Sequence, residues 1–143
     1  MTVTESIQTF FKRYTDFKGR SSRVEYWWPV VMNFVVFMLT LMPGTVMFMI
    51  GETPPSFVWV LLALGGLYYL AVLIPTIALN VRRLHDMNQT GWIYLGVVVA
   101  GALVNFIQLV ATIVIGSIKG TEGPNKYGPD PLNPEEAVAS VFE

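Results

Sequence analysis

Three uncharged runs, 27–50, 57–81 and 92–118, alternate with short polar stretches along the chain. Runs of about 24, 25 and 27 residues reach roughly 36–40 Å as α-helices, enough to cross a hydrocarbon core of about 30 Å. No water is available there to satisfy an open backbone, so helix is the form such runs take. The pattern predicts an all-α integral membrane protein with three transmembrane helices, over about 24–50, 57–81 and 92–118. Pro43-Gly44 is expected to kink or end the first run early, and Gly65-Gly66 and Pro75 interrupt the second.

The polar stretches carry helix signals of their own. Thr2 with Glu5 three residues on forms a capping box, and Ile7, Phe10, Phe11, Tyr14 and Phe17 share one helical face with Lys12 and Arg13 beside it. Residues 2–17 thus read as an amphipathic N-terminal helix, lying either in the headgroup region or on the protein's own cytoplasmic end. Gly19 breaks that helix. Ser22 and Glu25 repeat the capping pattern and open the first span, where Tyr26, Trp27 and Trp28 are placed to form an aromatic belt. Residues 51–56 make a tight turn without Lys or Arg. Beyond 118, Gly120, Gly123, Gly128 and four prolines give an irregular C-terminal tail. Within it Asn125, Tyr127, Gly128 and Asp130 read as a rigid structural clip. Residues 1–132 form the membrane domain and 133–143 a flexible acidic tail.

Composition agrees with lipid as the solvent: the chain is 53% hydrophobic and only 13% charged. The absence of cysteine excludes disulfides and thiolate metal sites. A formal net charge of -1 is neutral on nucleic acid, and no such partner is assigned. Glu5, Lys12, Arg13 and Asp16 precede the first apolar run, so no cleavable signal peptide is expected. The basic residues divide as five in the N-terminal arm, two in the island at 82–92, none in the 51–56 turn and two in the tail. By the positive-inside rule, three spans place the N-terminus and the island in the cytoplasm and the tail outside. A re-entrant fold near Asn105 would instead return the tail to the cytoplasm.

The island Arg82-Arg-Leu-His-Asp86 holds the only histidine, and on this topology it shares a membrane face with Arg20, Arg23 and Glu25. A carboxylate at a helix C-terminus is disfavoured by the helix dipole, so Asp86 is expected to have a basic partner. Two readings follow. Arg20, Arg23, Arg82, Arg83, His85 and Asp86 latch helix ends, with Gly19, Ser22, Glu25, Gly91 and Trp92 as structural supports, or the arginines bind phosphate groups of anionic lipid. His85-Asp86 lacks further ligands at metal spacing, and Ser21 or Ser22 lacks a nucleophile elbow. No catalytic residue, metal or cofactor is assigned. Asn33, Asn80, Asn105 and Gln108 in or beside the apolar runs each need a partner, between helices or along a solute path.

Three motifs together resemble a bacterial inner-membrane family, domain of unknown function 805, the YhaH/YhaI-like proteins. They are Phe17-Lys-Gly-Arg-Ser-Ser-Arg-Val-Glu-Tyr-Trp27, Arg82-Arg-Leu-His-Asp86 with Thr90-Gly-Trp92, and Gly120-Thr-Glu-Gly-Pro-Asn-Lys-Tyr-Gly-Pro-Asp-Pro131. The resemblance covers about residues 14–132 and implies a multi-pass protein of the bacterial cytoplasmic membrane, without implying a reaction. The expected function is a non-enzymatic small membrane protein whose cytoplasmic Arg/His/Asp cluster latches helix ends and binds anionic lipid or a partner protein. The alternative is a homo-oligomeric channel or transporter subunit.

Overall fold

The computed structural model describes residues 1–133, so the residues 134–143 of the expected acidic tail lie outside the described part. Among these residues six helices form in order: α1 (Val3–Lys12), α2 (Arg23–Thr40), α3 (Met42–Met49), α4 (Ser56–Asp86), α5 (Trp92–Leu103) and α6 (Asn105–Ser117). Among the described residues there is no strand, only a bridge between Asn125 and Gly128.

The capping box of α1 forms in both directions: the Thr2 N–H donates to Glu5 at 2.7 Å, and the Glu5 N–H to the Thr2 hydroxyl at 3.3 Å. The helix buries Ser6 and Phe10 and packs against α2 and α4, so it rests on the protein's own polar end. Its apolar stripe is only partly used, since Phe11 and Phe17 stay exposed. Ser22 caps α2 by accepting from the Glu25 N–H at 3.3 Å. The reciprocal half of that second capping box is missing, because the Glu25 carboxylate turns inward to other partners. The expected aromatic belt is also redistributed. Tyr26 is fully buried, Trp27 donates to the Gly116 carbonyl at 3.1 Å, and Trp28 alone of the three is exposed.

At Leu41 the chain bends by 49° from α2 into α3, with Pro43 in the first turn beyond the break. Proline cannot donate to the carbonyl four residues back, so the break falls where the first run lost a backbone bond. α4 is the one described helix long and apolar enough by itself to cross a membrane, and α2 with α3 makes a second if the bent pair is one span. Pro75 lies inside α4 and leaves the Ala71 carbonyl without its usual donor. The Tyr14 hydroxyl, reaching up from the α1–α2 link, donates to that carbonyl instead.

The expectation of a third span is not met. The run 92–118 divides at Val104, which is extended (φ -138°, ψ 97°), into helices of 12 and 13 residues. Each is only about 18–20 Å long, too short for a core of about 30 Å. The two fold against each other: the Gln108 side-chain amide donates to the Tyr94 hydroxyl at 3.3 Å, although a straight helix would put about 21 Å between them. The carbonyl of Ile118, just past α6, therefore returns to Arg83 and Arg23. Residues 119–132 follow it onto the end that carries the Arg82 island. The tail was expected on the far side from that island; its described part packs directly on it.

The buried apolar core, Phe10, Tyr26, Val72, Leu79, Leu84, Tyr94 and Ile115, sits where α1, α2, α4, α5 and α6 meet. Elsewhere large apolar side chains face outward, such as Leu39, Leu67 and Leu70, as a surface solvated by lipid allows.

Candidate functional site, a buried charge clasp

The C-terminal turn of α4 runs past the uncharged stretch into three buried ionic groups. Arg82 and Arg83 are fully buried and Asp86 nearly so. Burying a charge is tolerated when its hydrogen bonds are satisfied, and here most are. Asp86 receives Arg20 Nε at 2.9 Å on one carboxylate oxygen and Arg83 on the other. These two guanidiniums answer the unfavourable dipole at the end of α4. Arg20 spends its remaining nitrogens on the carbonyls of Gly123, at 2.6 Å, and Thr121, at 2.5 Å. Arg83 reaches the carbonyls of Ser21, Ile115 and Ile118, which satisfies the open end of α6.

Arg82 turns to the other side. Its Nε donates to the Ser21 hydroxyl at 3.0 Å, and Nη1 to the carbonyls of Asp16 and Arg13, at 2.5 and 3.2 Å. Its Nη2 has no hydrogen bond among the described residues but lies 3.7 Å from the Glu25 carboxylate. Glu25 also accepts from the Ser21 hydroxyl at 2.8 Å and pairs with Arg13 at 3.5 Å. Ser21 is therefore committed to Glu25 and Arg82 rather than held ready as a nucleophile.

The tail closes over this arrangement. The Asp86 carbonyl accepts the Thr121 N–H at 2.8 Å, and Asn125 donates its amide to the His85 carbonyl at 3.0 Å. Tyr127 stacks flat on the His85 imidazole, 3.8 Å between centroids and 5° between planes. Asp130 accepts from the N–H groups of Gly123 and Leu132, and Gly128 holds a φ of +135° that favours glycine. His85 Nδ1 lies 3.2 Å from the Gly19 carbonyl, which can only accept, so Nδ1 carries the proton. Gly19 itself holds a φ of +78°. Burial lowers the His85 pKa from its ordinary 6.5 and Lys126 adds to this, while the Gly19 bond opposes it. The net direction favours the neutral imidazole.

Of the six residues singled out for latching or lipid binding, the structure joins Arg20, Arg82, Arg83 and Asp86 in the buried network. Arg23 is exposed with Nε on the Ile118 carbonyl at 3.2 Å, and His85 faces a neighbouring cavity. Of the supports, Gly91 abuts Val81 and Trp92 is exposed. Sequence reasoning missed Arg13, Asp16, Ser21 and Thr121 as members of the network. Only Ser21 and Thr121 stand inside the quoted motifs, which is a signal for them. Arg13 and Asp16 reach Arg82 through their backbone carbonyls, which leave no trace in residue type, while the Arg13 guanidinium pairs with Glu25 and, at 2.8 Å, with Asp16. No group of three or more His, Asp or Glu among the described residues could hold a metal ion.

Asn33, Asn80 and Gln108 find partners within the bundle. Asn33 accepts from Tyr68 at 2.7 Å and Asn80 from Tyr26 at 3.0 Å.

Residues 14–129 match a family described as protein of unknown function, DUF805. The inner membrane protein YhaI of Escherichia coli (strain K12) is 34% identical over 121 residues, covering 84% of this chain and 89% of YhaI. The inner membrane protein YhaH of the same strain is 32% identical over 120 residues, covering 84% of this chain and 90% of YhaH. No solved structure matches.

Proposed function

This chain belongs to the DUF805 family, and from that membership we propose a non-enzymatic role in the bacterial inner membrane. It acts as a small helical scaffold whose clasped cytoplasmic face engages the headgroups of anionic lipid. One observation carries this reading: all nine Lys and Arg lie in the segments 12–23, 82–83 and 119–126, which build a single end of the bundle. The loop 50–55 at the other end has none. By the positive-inside rule the clasped end is cytoplasmic, and the described part of the tail lies there with it.

Within that end the cations divide their work. Arg20, Arg82 and Arg83 are consumed by internal partners, whereas Lys12, Lys18, Arg23, Lys119 and Lys126 face outward. An exposed cation at an anionic leaflet contributes about 1 kcal/mol. Lipid engagement thus moves from the buried arginines to this outer set, and the buried set fixes the shape that presents it.

The chain has no native cysteine, so single cysteines report sidedness directly. Lys18→Cys and Glu122→Cys should label together from the cytoplasmic side and Glu52→Cys from the other; Lys18 and Glu122 labelling from opposite sides would end the topology. Retained phosphatidylglycerol, counted by native mass spectrometry, should fall in Lys12→Ala/Lys18→Ala/Arg23→Ala, and unchanged retention would end the lipid part.

A channel or transporter subunit is the second reading. It is favoured by a groove of about 660 Å³ between α2, α4 and α6 that carries Asn33, Asn80 and Gln108. Solute flux in proteoliposomes that is lost in Gln108→Leu would support it over the scaffold.

A further inference from the structure

Beside the clasp lies a cavity of about 570 Å³ that the charge network does not use. Two helices supply most of its apolar wall, each with one stripe, Ile77 and Val81 on α4 and Leu95 and Val98 on α5, and Phe17 adds to it from the α1–α2 link. Gly91 brings the start of α5 onto α4, since a Cβ there would come within 2.6 Å of Val81 Cγ1. Its polar groups come from His85, Thr90, Tyr94 and Tyr127, of which His85 and Tyr127 stand together as a stacked pair. No lysine, arginine or carboxylate lines it. Trp92, at its edge, is 77% exposed, as an indole at a membrane–water boundary would be.

The polar side has a defined hydrogen-bonding character. With the proton on Nδ1 and committed to the Gly19 carbonyl, Nε2 of the neutral imidazole is an acceptor. The Tyr127 ring is fixed against it by stacking, and its hydroxyl can both donate and accept. Among the described residues, no protein group bonds Nε2 or that hydroxyl. The complementary headgroup is one that donates to Nε2 and accepts from Tyr127 or Thr90, which a hydroxyl does. A formal charge would enter a space without a counter-charge, which is costly away from water. The nearest cation, Lys126, sits over the Tyr127 ring 4.9 Å from its centroid and does not line the cavity. The volume falls within the range of small-molecule sites, about 300–1,000 Å³.

We propose that this cavity binds a neutral amphiphile of the glyceride type, its hydroxyl at His85, Thr90 and Tyr127 and its acyl chain along Ile77, Val81, Leu95 and Val98. The site borders the exposed basic face at Lys126 and does not depend on that face binding anionic lipid.

The full chain in detergent is titrated with dioctanoylglycerol and with dioctanoylphosphatidylglycerol, and adducts are counted by native mass spectrometry. One glyceride should bind, about tenfold more tightly than the phospholipid. Val98→Trp, which fills the tail channel without touching the clasp, should abolish the adduct while leaving the melting temperature unchanged. His85→Phe keeps an aromatic face for Tyr127 but removes Nε2, and should weaken binding about tenfold. Equal retention of both lipids through a Val98→Trp-sensitive site would overturn the neutral headgroup. Full glyceride binding by a folded Val98→Trp protein would overturn the cavity as the site. Lys12→Ala/Lys18→Ala/Arg23→Ala should leave glyceride binding intact, so failure of the basic-face reading registers separately.

Discussion

The two ends of the bundle are held by different physics. At the clasped end, three buried arginines, two carboxylates and a run of carbonyls from residues 13 to 123 form directional, charge-assisted bonds. At the far end α3 has no side-chain cap, and close packing does the work. A Cβ at Gly44 would meet the Leu62 side chain, and one at Gly65 would meet Thr40. Lipid chains are as apolar as leucine, so helix-on-helix apolar contact gains little in a membrane over contact with lipid. Position and angle must then come from polar bonds or from small residues. The clasped end uses the first and is fixed; the far end uses the second and bends.

That contrast can be broken most directly at Asp86. Asp86→Ala leaves Arg20 and Arg83 buried without their anion and should cost about 3–5 kcal/mol. Glu52→Ala in the exposed far loop should stay within about 0.5 kcal/mol. Thermal unfolding in detergent compares the two, and similar melting temperatures would mean the clasp does not dominate.

A smaller effect is expected at Tyr14. Tyr14→Phe strands the Ala71 carbonyl opposite Pro75 and should cost about 1–3 kcal/mol. Pro75→Ala restores the missing N–H, so the loss on Tyr14→Phe should shrink in that background; an unchanged loss in the double-mutant cycle would disprove the link.

Glycine substitutions sharpen the comparison at closer range. Gly91→Ala drives a Cβ into β-branched Val81 and should cost about 1–3 kcal/mol, relieved by Val81→Ala. Gly44→Ala meets Leu62 at Cδ2, Cδ1 and Cγ, within 2.6–2.9 Å, but Leu62 is half-buried and turns about two side-chain bonds, so the denaturation midpoint should move less.

The smallest expected effect is a pH dependence through His85. Its folded pKa lies below 6.5, so the unfolded chain binds the proton first. Stability is full above 6.5 and falls as pH drops through 6.5 toward the lowered folded value. His85→Phe should flatten that limb in a pH series of melting temperatures.

Much of the fold was legible because the signals were local. The Thr2–Glu5 box, the Ser22 cap and the break near Pro43 rest on residues within one turn of each other. The end of α4 at the polar island follows from hydropathy alone. The reversal at Val104 was not legible in the same way, because length and hydropathy suit a 27-residue span as well as two short helices. What decides it is tertiary: Arg83 and Arg23 draw the Ile118 carbonyl back to the island. The pairing of Asp86 with basic groups could be argued from the helix dipole, but the burial of those groups could not. Burial depends on the tail arriving over them, and the tail's path hung on the reversal.

The Arg20 side chain joins Asp86 to carbonyls at 121 and 123, partners up to 103 positions away in the chain. A ribosome releases those partners only after the three apolar runs that precede them. The nascent bundle must wait, with its arginines still hydrated, until residues 121–123 emerge and fasten it. Chains halted before residue 119 should accordingly lack the carbonyls of Thr121 and Gly123 that hold Arg20, leaving the clasp open to water.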